Sequence, residues 1–216
     1  MDALGSNTTG ALNTAVGYLA LNANTTSNGN VAVGYQAGYN NTTGVITAVG
    51  YQAGISNSTA GYNSAFGVQA LYSTNTGDYN TALGRASLYS NTTASNNTAV
   101  GYQAGYSNTT GAQNTFIGLT AGYSNTTGSY STAVGWESLK ANTTGRNTAY
   151  GIRSLLANTT GTQNTALGDN AMGVNTTGVN TSQLGTALGE NTTANNNTAV
   201  GISRYIQIQQ AQRMLV

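Results

Sequence analysis

The stretch Asn97–Gly111 reads Asn-Thr-Ala-Val-Gly-Tyr-Gln-Ala-Gly-Tyr-Ser-Asn-Thr-Thr-Gly and decides the fold, because variants of it recur along the 216-residue chain. Its final Asn-Thr-Thr-Gly motif returns every 16 or 17 residues, and so does the glycine that follows Thr-Ala-Val. The first residue of the motif forms an Asn column, with Thr74 in one place, at Asn7, Asn24, Asn41, Asn57, Asn91, Asn108, Asn125, Asn142, Asn158, Asn175 and Asn191. The glycine column comprises Gly17, Gly34, Gly50, Gly67, Gly84, Gly101, Gly118, Gly135, Gly151, Gly168, Gly185 and Gly201. Two columns with one period predict a repeat architecture.

The repeat unit predicts an all-β fold. Seventeen residues are too few for the usual helix-pair repeats, and Asn, Thr and Gly are poor helix formers. Thr-Ala-Val reads as a short strand that ends at a glycine corner, where glycine permits a positive φ. We therefore predict a β-solenoid (a parallel β-helix or β-roll) of about twelve 16–17-residue coils over residues 1–201, followed by a cap or junction segment at 202–216. At ~4.8 Å per coil this makes a rod of about 55 Å.

Residue size suggests which side chains face inward. A large, mostly apolar residue precedes each corner glycine, and we expect this column to fill a narrow core. A small residue lies three positions after most of these glycines, where we expect the walls of the coil to approach closely. The large column is Val16, Val33, Val49, Phe66, Leu83, Val100, Ile117, Val134, Tyr150, Leu167, Leu184 and Val200. The small column is Ala20, Ala37, Ala53, Ala70, Ser87, Ala104, Ala121, Ser138, Ser154 and Ala171.

Two further columns have a structural and a binding interpretation. Stacked Asn side chains form amide ladders or local turn hydrogen bonds, and we favour this over a ligand-binding role. A candidate surface aromatic row follows the corner glycines at Tyr18, Tyr35, Tyr51, Tyr102 and Trp136, and a second tyrosine column lies at Tyr39, Tyr72, Tyr89, Tyr106 and Tyr123. Exposed rings stack on sugars, whereas packing over neighbouring coils or against other chains is the more usual role of aromatic side chains.

Composition excludes several kinds of chemistry. The chain has no His and no Cys, which excludes His-based triads, thiol nucleophiles and typical zinc sites, so we predict no enzyme activity, no cofactor and no metal. Six scattered basic residues and a formal net charge of +1 argue against nucleic-acid binding. No run approaches the ~20 apolar residues of a membrane span, which argues against membrane insertion, and no signal peptide is visible at the N-terminus.

Units such as Asn97–Gly111 resemble the repeats of phage tail-fibre-like proteins and of bacterial surface fibre proteins. They are also similar to, though longer than, the head repeats of trimeric autotransporter adhesins, which carry an Ala-Ile-Gly core. The resemblance covers about residues 2–201. It implies a homotrimeric fibrous protein, extracellular or on a virion surface, that reaches a cell-surface glycan or receptor.

The leading hypothesis from the sequence is therefore a self-assembling structural fibre or adhesin segment of a virion or cell surface. The chain starts and stops in mid-coil, so subunits that complete one another end to end in a filament are an alternative to the trimer. A different class of function is ice binding, because stacked Thr columns on a flat solenoid face can order water. A flat exposed Thr array on a monomer would favour ice binding, whereas a face buried between chains would favour the fibre.

Overall fold

One short strand from each coil builds a single parallel sheet. The computed structural model describes residues 2–185 and 192–201. The strands are β1 Thr14–Val16, β2 Val31–Val33, β3 Ile46–Val49, β4 Asn63–Phe66, β5 Thr81–Leu83, β6 Thr98–Val100, β7 Thr115–Ile117, β8 Thr132–Val134, β9 Thr148–Tyr150, β10 Thr165–Leu167, β11 Ser182–Leu184 and β12 Thr198–Val200. They lie side by side in chain order, and the described residues contain no helix. The predicted β-solenoid is confirmed, with about eleven turns.

The strands pair so that equivalent positions of successive coils are neighbours. In the pairing of β6 with β7, Thr98 lies opposite Thr115 and Val100 opposite Ile117. Each coil thus repeats its side-chain columns at the strand spacing of ~4.8 Å. A coil this small buries little surface alone, and its stability comes from the coils stacked above and below it.

Turns that also bond from coil to coil make up the rest of each repeat. Leu88 N–H donates to the carbonyl of Ala104 at 3.0 Å, and Ser90 N–H donates to the carbonyl of Tyr106 at 3.0 Å. The segment around Asn-Thr-Thr-Gly is one of these turns. Backbone donors and acceptors are thus paired along several sides of the coil and not only in the sheet.

The twelve column glycines lie at the corner where each strand ends. Eleven of them have φ between 125° and 137°, and Gly185 has φ 79°. Steric space also restricts the residue type at this corner, because a Cβ on Gly101 would lie 2.5 Å from the carbonyl oxygen of Gly118. The backbones of neighbouring coils therefore approach so closely at this corner that only glycine fits.

The assignment of the large column to the core is wrong. Leu83 is 49% exposed and Tyr150 is 56% exposed, whereas the alanine in the middle of most strands is fully buried. Successive side chains of a strand point to opposite faces, so the first and third residues of Thr-Ala-Val share the outer face and only the alanine points inward. The small residues after the corner are buried, as at Ala104 and Ala121, where the walls of the coil meet.

Four glycines outside the corner column leave room for bulky neighbours. Gly105 and Gly122 lie on either side of Phe116, which replaces the usual strand alanine and is fully buried. A Cβ on Gly122 would come within 2.4 Å of the Phe116 ring. Gly38 and Gly54 accommodate Ile46 in the same way. Other coils carry a leucine at this position with an equally positive φ, so these glycines are required for space rather than for conformation: Leu21, Leu71, Leu88, Leu139 and Leu155.

Candidate functional site

The outer face of the sheet carries two columns of exposed apolar side chains. We name the large column that precedes the corner glycines the outer apolar column. Most of its members are 36 to 74% exposed: Val16, Val33, Phe66, Leu83, Ile117, Tyr150, Leu167, Leu184 and Val200. Beside it, after the corner, runs a second set of exposed large residues: Tyr18, Tyr35, Tyr51, Val68, Tyr102, Leu119, Trp136 and Ile152. Two adjacent apolar columns along a whole solenoid exceed the scattered exposure that monomers usually show.

Three members of the predicted aromatic row stack on one another. The ring centroids of Tyr18 and Tyr35 lie 5.2 Å apart with planes inclined by 13°, and those of Tyr35 and Tyr51 lie 5.2 Å apart with planes inclined by 10°. Rings stacked in this way cover each other's faces and present mainly their edges to solvent. A sugar stacks on the face of a ring, so the geometry of these three tyrosines favours packing between coils over a glycan platform.

The other two members of the row lie against arginines of neighbouring coils. The Arg153 guanidinium lies 4.6 Å from the centroid of the Trp136 ring, and Arg85 lies 5.5 Å from that of Tyr102. Arg153 Nε also donates to Glu137 Oε2 at 3.0 Å, and Lys140 Nζ donates to Glu137 Oε1 at 2.6 Å. The hydrogen bond from Lys140, together with Arg153, lowers the pKa of Glu137 below its ordinary value.

Four members of the second tyrosine column, from Tyr72 to Tyr123, form a continuous half-buried stack, and Tyr39 is not part of it. The centroids of Tyr72 and Tyr89 are 4.8 Å apart, those of Tyr89 and Tyr106 are 5.0 Å apart, and those of Tyr106 and Tyr123 are 5.2 Å apart. Burial raises the pKa of Tyr89, and the two neighbouring tyrosines raise it further. These rings pack over neighbouring coils, which is the structural role considered for them from the sequence.

No family model, curated protein or solved structure matches the chain.

The Asn column forms buried amide ladders. Asn108 Nδ2 donates to Asn91 Oδ1 at 3.1 Å and to the carbonyl of Gly111 at 2.8 Å. Its Oδ1 in turn accepts from Asn125 Nδ2 at 2.8 Å. The first bond links coils, and the second closes the Asn-Thr-Thr-Gly turn. These hydrogen bonds hold the column inside the solenoid, but the buried Oδ1 atoms of Asn24, Asn125 and Asn175 have no partner among the described residues. Asn191 lies outside the described residues.

A second asparagine column, which the sequence reasoning missed, supports the start of the strands. Asn97 Oδ1 accepts from the backbone N–H of Asn114 at 2.9 Å, and Asn97 Nδ2 donates to the carbonyl of Gly111 at 2.9 Å. The same pattern occurs at Asn80 and Asn164. The signal was present in the consensus, where Asn precedes Thr-Ala-Val in most coils. The coil interior therefore contains many buried asparagines, and all but four of its buried side-chain polar atoms in the described chain are hydrogen-bonded, as the burial of amides requires.

The acidic residues do not converge on one place in the described chain. Asp78 Oδ1 accepts from the backbone N–H of Gly61 at 2.6 Å, and Asp169 Oδ1 accepts from Asn170 Nδ2 at 3.0 Å. Glu137 is held by its two basic neighbours. Among residues 2–185 and 192–201 there is no group of three potential metal ligands and no helix that could cross a membrane.

Proposed function

We propose that the chain is a structural fibre or adhesin segment that associates with copies of itself through the outer face of its sheet. The observation that supports this is the outer apolar column, which runs from β1 to β12 and remains largely exposed in the single chain. An exposed apolar face that extends along a rod is a surface for association, because water disfavours it and every coil repeats it.

The size of the face agrees with this proposal. Twelve strands at ~4.8 Å, with about four residues at ~3.3 Å across, give a face of roughly 55 by 13 Å, or about 700 Å². Specific protein interfaces bury about 800 Å² per partner. The face carries little charge, because its two columns are Val, Leu, Ile, Phe, Tyr and Trp with few exceptions. A second copy offers the same columns at the same spacing. The trimer, the surface location and the attachment to a glycan or receptor follow from the resemblance and belong to the same proposal.

Ice binding keeps one supporting observation, the column that begins the strands. Nine of the twelve residues that lie three positions before the corner glycines are Thr, and they share the outer face with the outer apolar column. That neighbouring column ranges from Val16 to Phe66 and Tyr150, so bulky rings protrude beside the Thr row. An uneven face is a poor match for an ice plane and a good match for an interdigitating protein surface. A thermal-hysteresis assay distinguishes the two functions.

Sedimentation equilibrium and negative-stain imaging test the self-association. We expect the wild-type chain to sediment at a multiple of its own mass, three times for the trimer. The double variant Leu83→Lys, Ile117→Lys places two charges on the face two coils apart and should sediment as a monomer. The matched control Leu12→Lys, Tyr79→Lys adds two charges at exposed positions away from the sheet and should associate like the wild type. A wild-type chain that stays monomeric at high micromolar concentration would refute the proposal.

A further inference from the structure

A coil that is one residue shorter than its neighbours opens a groove beside it. Only Arg146 separates Gly145 from Asn147, whereas two residues separate Gly111 from Asn114. The groove has a volume of about 460 Å³ and is lined by three successive coils, at residues 127–130, 143–146 and 162–163. Pockets that hold small ligands have volumes of roughly 300 to 1,000 Å³. The groove lies at the turn before the strands and not on the outer apolar column.

The missing residue interrupts the bonding of this corner. In full-length coils the backbone N–H of this position donates to the coil before, as from Gln113 to Ser95 and from Tyr130 to Ala112, both at 3.1 Å. The N–H of Gln163 has no such acceptor among the described residues, because the coil before it is the short one. The Asn ladder breaks there too. Asn142 Nδ2 turns to the carbonyl of Thr144, and the buried Asn125 Oδ1 is left unpaired.

The Tyr130 ring at this groove is free to stack on a ligand. Tyr62 and Tyr79 occupy the same column and stack on each other, with centroids 5.3 Å apart and planes inclined by 4°. Tyr130 is 60% exposed, and no ring or guanidinium stacks on it among the described residues. Its neighbours along the column are Gln113 and Arg146. No aromatic ring covers Tyr130 among the described residues, unlike Tyr18, Tyr35 and Tyr51, which stack on one another.

Arg146 brings an uncompensated positive charge to the same groove. Lys140 and Arg153 pair with Glu137, and Arg85 lies against Tyr102. Arg146 is exposed and has no carboxylate within ion-pair distance in the described part of the chain. A guanidinium presents parallel donors that match a carboxylate. An anionic group is thus the partner that this residue lacks.

We infer that the groove binds a carboxylate-bearing sugar of the uronic or sialic acid class. The Tyr130 ring would stack on the apolar face of the sugar, and Arg146 would hold its carboxylate. The hydroxyls of Thr143 and Thr144 donate to the carbonyls of Thr159 and Gly161, which leaves their oxygens as acceptors for sugar hydroxyls. A single cation beside an aromatic face fits an acidic sugar better than a phosphate, which usually attracts several basic residues. The inference rests on the proposed adhesin function for its biological meaning.

Calorimetric titration of the full chain with two acidic probes, trigalacturonate and sialyllactose, tests the site. The neutral counterparts maltotriose and lactose should bind at least about tenfold more weakly than the acidic probe that binds. Arg146→Gln should weaken that binding about tenfold to a hundredfold, as expected for the loss of a charge-assisted hydrogen bond. Glutamine occupies this column at Gln113 and Gln163 with the same positive φ, so the variant should fold. Tyr130→Ala should reduce binding as well.

The matched controls Arg85→Gln and Tyr79→Ala remove the same side chains elsewhere and should bind like the wild type. The inference is overturned if neither acidic probe binds, if the neutral sugars bind as tightly, or if Arg146→Gln binds unchanged. Repeating the titration on the Leu83→Lys, Ile117→Lys variant separates the two proposals. Binding by a chain that does not self-associate supports the groove alone, and self-association without binding supports the sheet face alone.

Discussion

The packing around Phe116 gives the sharpest prediction, since one side chain fills the space left by two glycines. Replacing Phe116 with alanine empties the interior between Gly105 and Gly122, and buried Phe→Ala changes cost about 3–5 kcal/mol. The exposed Phe66 provides a matched control on the outer face. Phe66→Ala should cost about 1 kcal/mol or less in the free energy of unfolding of the single chain.

The same site predicts a rescue. Gly122→Leu alone should destabilise by roughly 3 kcal/mol, because its Cβ would meet the Phe116 ring at 2.4 Å. In the Phe116→Ala background the leucine should instead fill the space, as Leu139 does beside Ala133 in another coil.

Urea unfolding of the wild type, the two single variants and the double variant measures this coupling. We expect the double variant to be more stable than the sum of the single effects by at least about 2 kcal/mol, within the range for residues in contact. Effects that add to within about 0.5 kcal/mol would show that the ring and the glycine do not share one space.

Three other predictions concern the glycine corner, the Asn ladder and the salt bridges of Glu137. Gly101→Ala should lower the melting temperature far more than Gly29→Ala. A Cβ at Gly101 would lie 2.5 Å from the next coil, whereas a Cβ at Gly29 would meet nothing within 4 Å. Equal shifts of the melting temperature in calorimetry would contradict this steric explanation. Asn108→Ala should cost about 2 kcal/mol in urea unfolding, since it leaves the buried Asn91 Oδ1 without a donor and removes one of the two hydrogen bonds made by Asn125 Nδ2 and by the Gly111 carbonyl. A loss under about 0.5 kcal/mol would show that the ladder contributes little to stability. Glu137→Gln should cost about 0.5 kcal/mol at pH 7 and progressively less as the pH falls below about 4.3, because a lowered folded-state pKa gives stability that is present above the unfolded value and lost as the pH falls through the folded value. A cost that does not decrease with falling pH would contradict this.

The repeat period was enough to predict the fold, whereas the structure was needed to show which side chains point inward. The Asn column and the glycine column share one spacing, and this predicted stacked coils with glycine at the corners. Residue size alone placed Val100 in the core and gave no role to Ala99. In the strand Ala99 is buried and Val100 points to the outer face. The alternation of a strand could have shown that Thr98 and Val100 share a face, and the polarity of Thr98 could have shown that this face is outside. The interior of the coil is narrow because two turns close it, and its width cannot be read from the sequence of the strand.

The two described coils that are shortened before the strand show how one deletion produces different surfaces. At Val45–Ile46 the residue in the second asparagine column is a buried isoleucine, and the next tyrosine, Tyr62, stacks on Tyr79. At Arg146 the column keeps its asparagine, and the nearby Tyr130 stays unstacked. A solenoid repeats its backbone, so a binding site needs a local break in the pattern to differ from its neighbours. The exposed charge and the exposed ring coincide at such a break, and this coincidence is the reason to look there for a ligand.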